Sequence, residues 1–245
     1  VLMLDALDLA VDTTDFLHRT TDLLTRQLPQ IEVWAVNWTA YDAQEALKTR
    51  MQVVFDRPTR WTLNAFHVWR ATKSDRAAVV GERPSMEKRH YLRVQNSGGP
   101  RPQTALEALM SYRVVTAQIL RTVIPATGGG FDGARLDAYG NWSSGERNQL
   151  LSSIGAQRDR SANTTPRSAR RARNRATYFV PQHGLAPGVY RRRGADDIPV
   201  RVLKFSDKVP VYRPLLDFEG VVAKTYRERL APNVKRAFER AITTS

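Results

Sequence analysis

No cysteine occurs in the 245 residues, which excludes disulfide staples, thiolate zinc sites, iron–sulfur clusters and cysteine nucleophiles. Long apolar runs are missing too. None approaches the roughly 18–20 residues that cross a bilayer, and the amino-terminal stretch lacks the basic-then-apolar pattern of a secretory signal. These absences fit a soluble chain folded in a reducing cytosol, without a membrane partner. Histidine is scarce: His18, His67, His90 and His183 lie far apart and show no metal-ligand spacing with carboxylates. No serine sits in a G-x-S-x-G elbow. The stretch Gly128-Gly-Gly130-Phe-Asp-Gly133 lacks the Lys-Ser/Thr of a phosphate-binding loop and reads as a flexible connector. The sequence nominates no catalytic residue, no cofactor and no metal, so the expectation is a protein that is not an enzyme.

What the chain has in excess is positive charge, +14 overall and unevenly placed. Residues 1–56 carry four basic side chains (Arg19, Arg26, Lys48, Arg50) against nine acidic ones, a net of −5. The remaining 189 residues hold 34 basic and 15 acidic groups, a net of +19. Such a basic body suits phosphate contact. An acidic end and a basic body on identical subunits equally suit head-to-side attraction, as in a ring.

The apolar content of 42% is that of a globular protein, and the pattern reads as one α+β domain spanning 1–245. Asp12, Thr13 and Thr14 can cap a helix with Phe16, Leu17, Leu23, Leu24 and Leu28 on one stripe. Pro29 then opens a longer helix whose Ile31, Trp34, Ala35, Trp38, Leu47, Met51, Val54 and Phe55 follow three-four spacing. Together these predict an N-terminal helical hairpin over 1–56 with two inward tryptophans. A two-stranded hairpin is expected within 61–81, and an extended polar loop over 82–102. A helix should run from about Thr104 to Thr122, stopped by Pro125 and the glycines beyond. Ser143 and Glu146 are spaced as a capping box ahead of Leu150, Leu151 and Ile154. Strands are expected at 177–180, 188–192 and 200–205, the last alternating apolar and basic residues as a half-exposed strand should, so the middle of the chain holds a small, mainly antiparallel sheet. A long C-terminal helix should span about Asp217 to Thr243, divided or kinked at Pro232. Val221, Val222, Tyr226, Leu230, Val234, Phe238 and Ile242 are expected to face inward.

Between Arg158 and Arg175 there are seven arginines, one aspartate and no large apolar residue, the composition of a surface loop or arm, here placed at 158–176. The candidate contact residues are Arg158, Arg160, Arg167, Arg170, Arg171, Arg173, Arg175, Arg191, Arg192 and Arg193, with a net of +9 over 158–193. Arginine suits bidentate recognition of phosphate or carboxylate. Two readings stay open: a subunit interface with an acidic neighbour, or contact with a nucleic-acid backbone. No helix-turn-helix or zinc-finger pattern is present to read bases.

Several strings carry a family resemblance. Val54-Phe-Asp-Arg-Pro58-Thr-Arg-Trp-Thr-Leu-Asn64, His90-Tyr-Leu-Arg93 with Gly98-Gly-Pro-Arg101 and Glu107, and Leu136-Asp-Ala-Tyr-Gly-Asn141 leading into Gln149-Leu-Leu-Ser152 resemble a group of tailed-bacteriophage virion proteins. Tyr178-Phe-Val180, Leu185-Ala-Pro-Gly-Val-Tyr-Arg191 and Val211-Tyr-Arg-Pro214 fit the same group. These blocks spread from about residue 50 to the C-terminus. An ending of strand and Arg-Pro before a terminal helix looks like tail-completion proteins of long-tailed phages. The resemblance implies a minor tail, neck or tail-completion component: a homo-oligomeric ring, hexamer favoured and dodecamer possible, at the head–tail junction or upper tail. Its implied partners are the portal or adaptor and other tail proteins, with transient contact to genomic DNA along the axis. Its implied location is the virion, after synthesis in the host cytoplasm.

Overall fold

The computed structural model describes residues 14–84, 91–113, 121–128, 133–171, 176–194 and 196–243. In chain order the elements are α1 (Thr14–Asp22), a π-helical turn (Leu23–Gln27), α2 (Leu28–Val54), α3 (Arg60–Leu63), β1 (Phe66–Trp69) and β2 (Val79–Glu82). Then come α4 (Tyr91–Ser97), β3 (Gly99–Pro100), α5 (Ala105–Arg113), β4 (Thr122–Pro125), α6 (Ser144–Ser153), a 3₁₀ turn (Arg160–Ala162) and α7 (Pro166–Arg171). The chain finishes with β5 (Thr177–Phe179), β6 (Gly188–Arg192), β7 (Val200–Ser206), β8 (Val211–Tyr212) and α8 (Phe218–Thr243). The class is α+β, as expected: a long helix near each end and small antiparallel sheets between. Where the sequence reads as one domain, the backbone forms two compact units. Unit 1 holds residues 1–54, 60–88 and 217–245, and unit 2 holds 55–59 and 89–216.

Unit 1 is built on α2 and α8. The expected hairpin over 1–56 is not there: the described helix runs from Thr14 to Val54 without a turn. Pro29 has no N–H to donate and would break a regular helix. Just ahead of it the ladder widens, with Leu28 N–H bonding to Leu23 C=O, and this π-helical turn lets the chain continue. The partner of α2 is therefore α8. Ile31 and Ala35 pack on Ala237 and Ala241, with Trp34, Trp38 and Val234 at the border. Small alanines let the helices approach, and a polar key sets their register. Asn233, buried, donates to Thr39 Oγ1 at 3.1 Å and Asp42 Oδ2 at 2.9 Å, and Arg229 reaches the same carboxylate at 3.0 Å. The tryptophans stack on each other, centroids 6.4 Å apart. They are half-buried and roofed by cations, Arg236 over Trp38 at 4.4 Å and Arg240 over Trp34 at 4.5 Å.

The other face of α2 carries Leu47 and Met51, both fully buried, and holds the β1–β2 hairpin through polar side chains. Asn37 brackets the Ala71 peptide, accepting from its N–H at 2.8 Å and donating to its carbonyl at 3.1 Å, and Gln44 donates to Phe66 C=O at 2.8 Å. The hairpin pairs Phe66 with Glu82 through Trp69 with Val79. The C-terminal helix differs from expectation in two ways. It is not divided at Pro232, which lies inside one helix. Its buried side chains are Thr225, Asn233, Ala237 and Ala241, whereas Tyr226, Phe238 and Ile242 point to solvent. The close approach to α2 selects the face with small residues and rejects the large ones.

Unit 2 centres on the antiparallel sheet β4-β7-β6-β5. Met110 of α5 and Leu150 and Leu151 of α6 meet Tyr178, Val189, Val202 and Leu203 in its core. The expectation that β7 alternates is corrected. Val202 and Leu203 are adjacent, so they point to opposite faces, and both are fully buried: the sheet is covered on both sides here, where β7 is an inner strand. On β6 the neighbours Val189 and Tyr190 are both buried across a shift in register. Thr122, expected as the last residue of the helix from Thr104, instead opens β4, and Thr122–Pro125 pairs with Leu203–Ser206 as an edge strand, which suits its β-branched residues. Residues 114–120 of that expected helix lie outside the described residues. The span 82–102, expected as loop, contains α4, anchored by buried Leu92 and Val94. Gly98 ends α4 in the left-handed region at φ +71°, its N–H bonding to Val94 C=O at 2.9 Å. The following Gly99-Pro100 pairs with Val211-Tyr212.

Candidate interaction surfaces

Two buried carboxylates are the first chemistry the fold reveals, and sequence reasoning assigned neither its place. Glu107 opens α5 in a capping box: its Oε2 accepts from the Thr104 amide at 2.7 Å and hydroxyl at 2.8 Å, while its own N–H reaches Thr104 Oγ1 at 3.3 Å. Its Oε1 accepts from Arg101 at 2.5 Å and from the Val123 amide at 3.0 Å. Burial alone would raise its pKa. The Arg101 guanidinium, the Thr104 and Val123 amides and the Thr104 hydroxyl overcome that and hold the carboxyl below its ordinary value.

Glu146 is equally saturated. The expected capping box with Ser143 does not form, since Ser143 makes no side-chain cap bond. The carboxylate turns inward instead. It accepts from the Arg135 amide at 2.7 Å, Trp142 Nε1 at 3.0 Å, the Tyr178 hydroxyl at 3.3 Å and Arg191 Nη1 at 2.6 Å. Burial and the Glu146 charge push the Tyr178 phenol above its ordinary value, against the pull of Arg191. Four donors fill the lone pairs of each carboxylate, so neither has an acceptor site left for acid–base chemistry. They are braces.

Several residues of the strings that carried the resemblance meet at these braces. Gly98–Arg101 pairs with Val211-Tyr212 and bonds to Glu107. Tyr178 and Arg191 meet at Glu146. Arg57 lies against Gly140, where a Cβ would stand 2.8 Å from its Nη2, and Asp137 adds favourable charge to Arg57.

The candidate arginines divide. Arg191 is internal, tied to Glu146 with its side chain 19% exposed, and Arg192 lies over the Phe179 ring at 5.3 Å. Arg173 and Arg175 lie outside the described residues. Arg158, Arg160, Arg167, Arg170, Arg171 and Arg193 are exposed and make no side-chain hydrogen bond or ion pair among the described residues. Part of the span expected as loop is ordered: α7 carries Arg167, Arg170 and Arg171, and Thr165 and Ser168 exchange hydroxyl–amide bonds at its start.

Beside this segment lies an open depression of about 1030 Å³, with Arg135, Arg193, Gln149, Ser153, Thr177 and Ser168 on its walls. Arg135, which the sequence reading passed over, is brought there because its amide is held by Glu146. In unit 1 the exposed surface is of another kind, the large apolar residues of α8: Tyr226 is 54%, Phe238 36% and Ile242 72% exposed.

Compared with models of protein families, with curated proteins and with solved structures, the chain matches none. Among the described residues no helix is long and apolar enough to cross a membrane. Among the same residues no group of three or more histidines and acidic residues is placed to hold a metal ion.

Proposed function

We propose that the protein is a structural component of a tailed-phage virion, a non-enzymatic subunit of an oligomeric ring at the head–tail junction or upper tail that joins portal and tail around the DNA channel. The observation that carries this reading is the face of α8. Exposed Tyr226, Phe238 and Ile242 and half-buried Leu230 recur at four-residue steps along one side of α8, over a length of about 24 Å at 1.5 Å per residue, and Val234 between them is the one that leans onto α2. The adjoining face is already packed on α2 through Ala237 and Ala241. A monomer gains nothing by exposing such a stripe, whereas an assembling subunit needs one. The resemblance strings support the same reading, since Arg101, Glu107, Tyr178 and Arg191 within them brace the fold.

A second reading, contact with nucleic acid through residues 158–193, is favoured by the six exposed arginines that find no anion among the described residues. The assembly reading is tested by the mass of the purified protein in solution at low and moderate salt, alone and with the portal. A hexamer or dodecamer, or a stoichiometric complex with the portal, is expected. A strict monomer that ignores the portal would overturn it.

A further inference from the structure

The depression in unit 2 has walls of a particular chemistry. Arg135 and Arg193 supply guanidinium groups with no partner among the described residues, and Gln149, Ser153, Thr177 and Ser168 supply amide and hydroxyl groups. No aspartate, glutamate or aromatic residue lines it. The exposed arginines Arg158, Arg160, Arg167, Arg170 and Arg171 continue the positive surface along the neighbouring segment.

Two anions compete for such a place: carboxylates of an acidic protein surface, and phosphates. The chain's own acidic end is poorly suited to the first role. Of the nine acids in residues 1–56, Asp22, Glu32, Asp42, Glu45 and Asp56 already hold Arg26, Arg76, Arg229, Lys48 and Arg57. Forked guanidiniums with hydroxyl donors between them suit the several oxygens of a phosphate group. A depression of about 1030 Å³ is far larger than one carboxylate needs and has room for a run of backbone. With no aromatic wall on which a base could stack, contact falls on phosphate and sugar and carries no sequence preference.

We infer that this depression binds the phosphodiester backbone of a nucleic acid, with Arg135 and Arg193 as its two anchoring cations and the arginines of α7 as the track that leads the strand in. The inference rests on the second reading above and is independent of ring formation.

The test is fluorescence anisotropy of the full chain with two labelled 24-base-pair duplexes of unrelated sequence, titrated across a range of salt. Arg135→Gln with Arg193→Gln is compared with Arg70→Gln and Arg121→Gln, which remove the same charge from exposed positions elsewhere. The wild type should bind both duplexes alike. The first pair should weaken binding at least about tenfold and lower the slope of log K against log salt by about 2, one for each phosphate that no longer meets a guanidinium. The control pair should stay within about twofold of wild type, and Arg135→Lys with Arg193→Lys should keep the slope. If the wild type fails to bind either duplex, the nucleic-acid reading itself falls. If it binds but both pairs lose affinity equally, that reading survives and this site is wrong. Displacement of duplex by polyglutamate at equal charge concentration would make the depression an acidic-protein site and overturn the inference.

Discussion

A carboxylate that keeps four donors is worth most where water cannot replace them. Glu107 and Glu146 are both buried, and removing either leaves an arginine and at least one backbone amide unpaired. Glu146→Ala should therefore cost about 3–5 kcal/mol of stability, while Arg170→Gln, at an exposed and unpaired position, should stay within about 0.5 kcal/mol. Denaturant unfolding of the two variants checks both. Glu107 adds a pH signature. Its folded pKa lies below the ordinary carboxylate value, so the unfolded chain takes up its proton first as pH falls. The stability it contributes is complete above the unfolded pKa of about 4.3 and is lost as pH drops through the lower, folded value. Glu107→Gln should flatten that acid limb, measured as midpoint against pH, and an unchanged limb would show that the group is not held as described. Gly188 is set by contact rather than by charge: a Cβ there would stand 2.2 Å from Leu203 C=O. Gly188→Ala should push β6 off β7 and cost more than about 2 kcal/mol.

At the scale of elements, the three middle strands and the long C-terminal helix were legible from residue pattern alone, because alternation, turn residues and three-four spacing are local signals. What was not legible depended on partners. The hairpin over 1–56 followed from treating Pro29 as a break, yet a widened turn ahead of it absorbs the missing donor. The inward face of α8 was assigned to its large residues, whereas packing against α2 chose Ala237 and Ala241. Thr104-x-x-Glu107 is as clear a capping box as Ser143-x-x-Glu146 in sequence. Only the tertiary partners decide that the first forms and that the second sends its glutamate to Arg191 and Trp142. Arg135 carried no signal at all, since its place in the depression depends on Glu146 holding its amide. Pro232 offers a test at this scale. It lies exposed inside a continuous helix, where proline costs up to about 3 kcal/mol against alanine. Pro232→Ala should raise the midpoint of thermal unfolding. A drop would mean that the ring of Pro232 makes a contact the helix needs.

For the molecule as a whole, two surfaces exposed among the described residues lie on different units: apolar side chains of α8 in unit 1, and a cationic depression in unit 2. They call for different partners and respond oppositely to salt. Apolar contact is strengthened or left unchanged by salt, whereas phosphate contact is weakened steeply. This separates assembly from nucleic-acid binding in one series of measurements. If the stripe joins subunits, the oligomer mass should persist from low to moderate salt. Tyr226→Gln with Ile242→Gln should then reduce it to the monomer. Both side chains are more than half exposed, so the monomer's own stability should change by less than about 1 kcal/mol, and duplex binding per chain should be untouched. An oligomer that survives this double substitution but dissolves in salt would place the subunit contact on charged groups instead. The acidic residues Asp5, Asp8, Asp12 and Asp15 at the amino-terminal end would then be the ones to neutralise next.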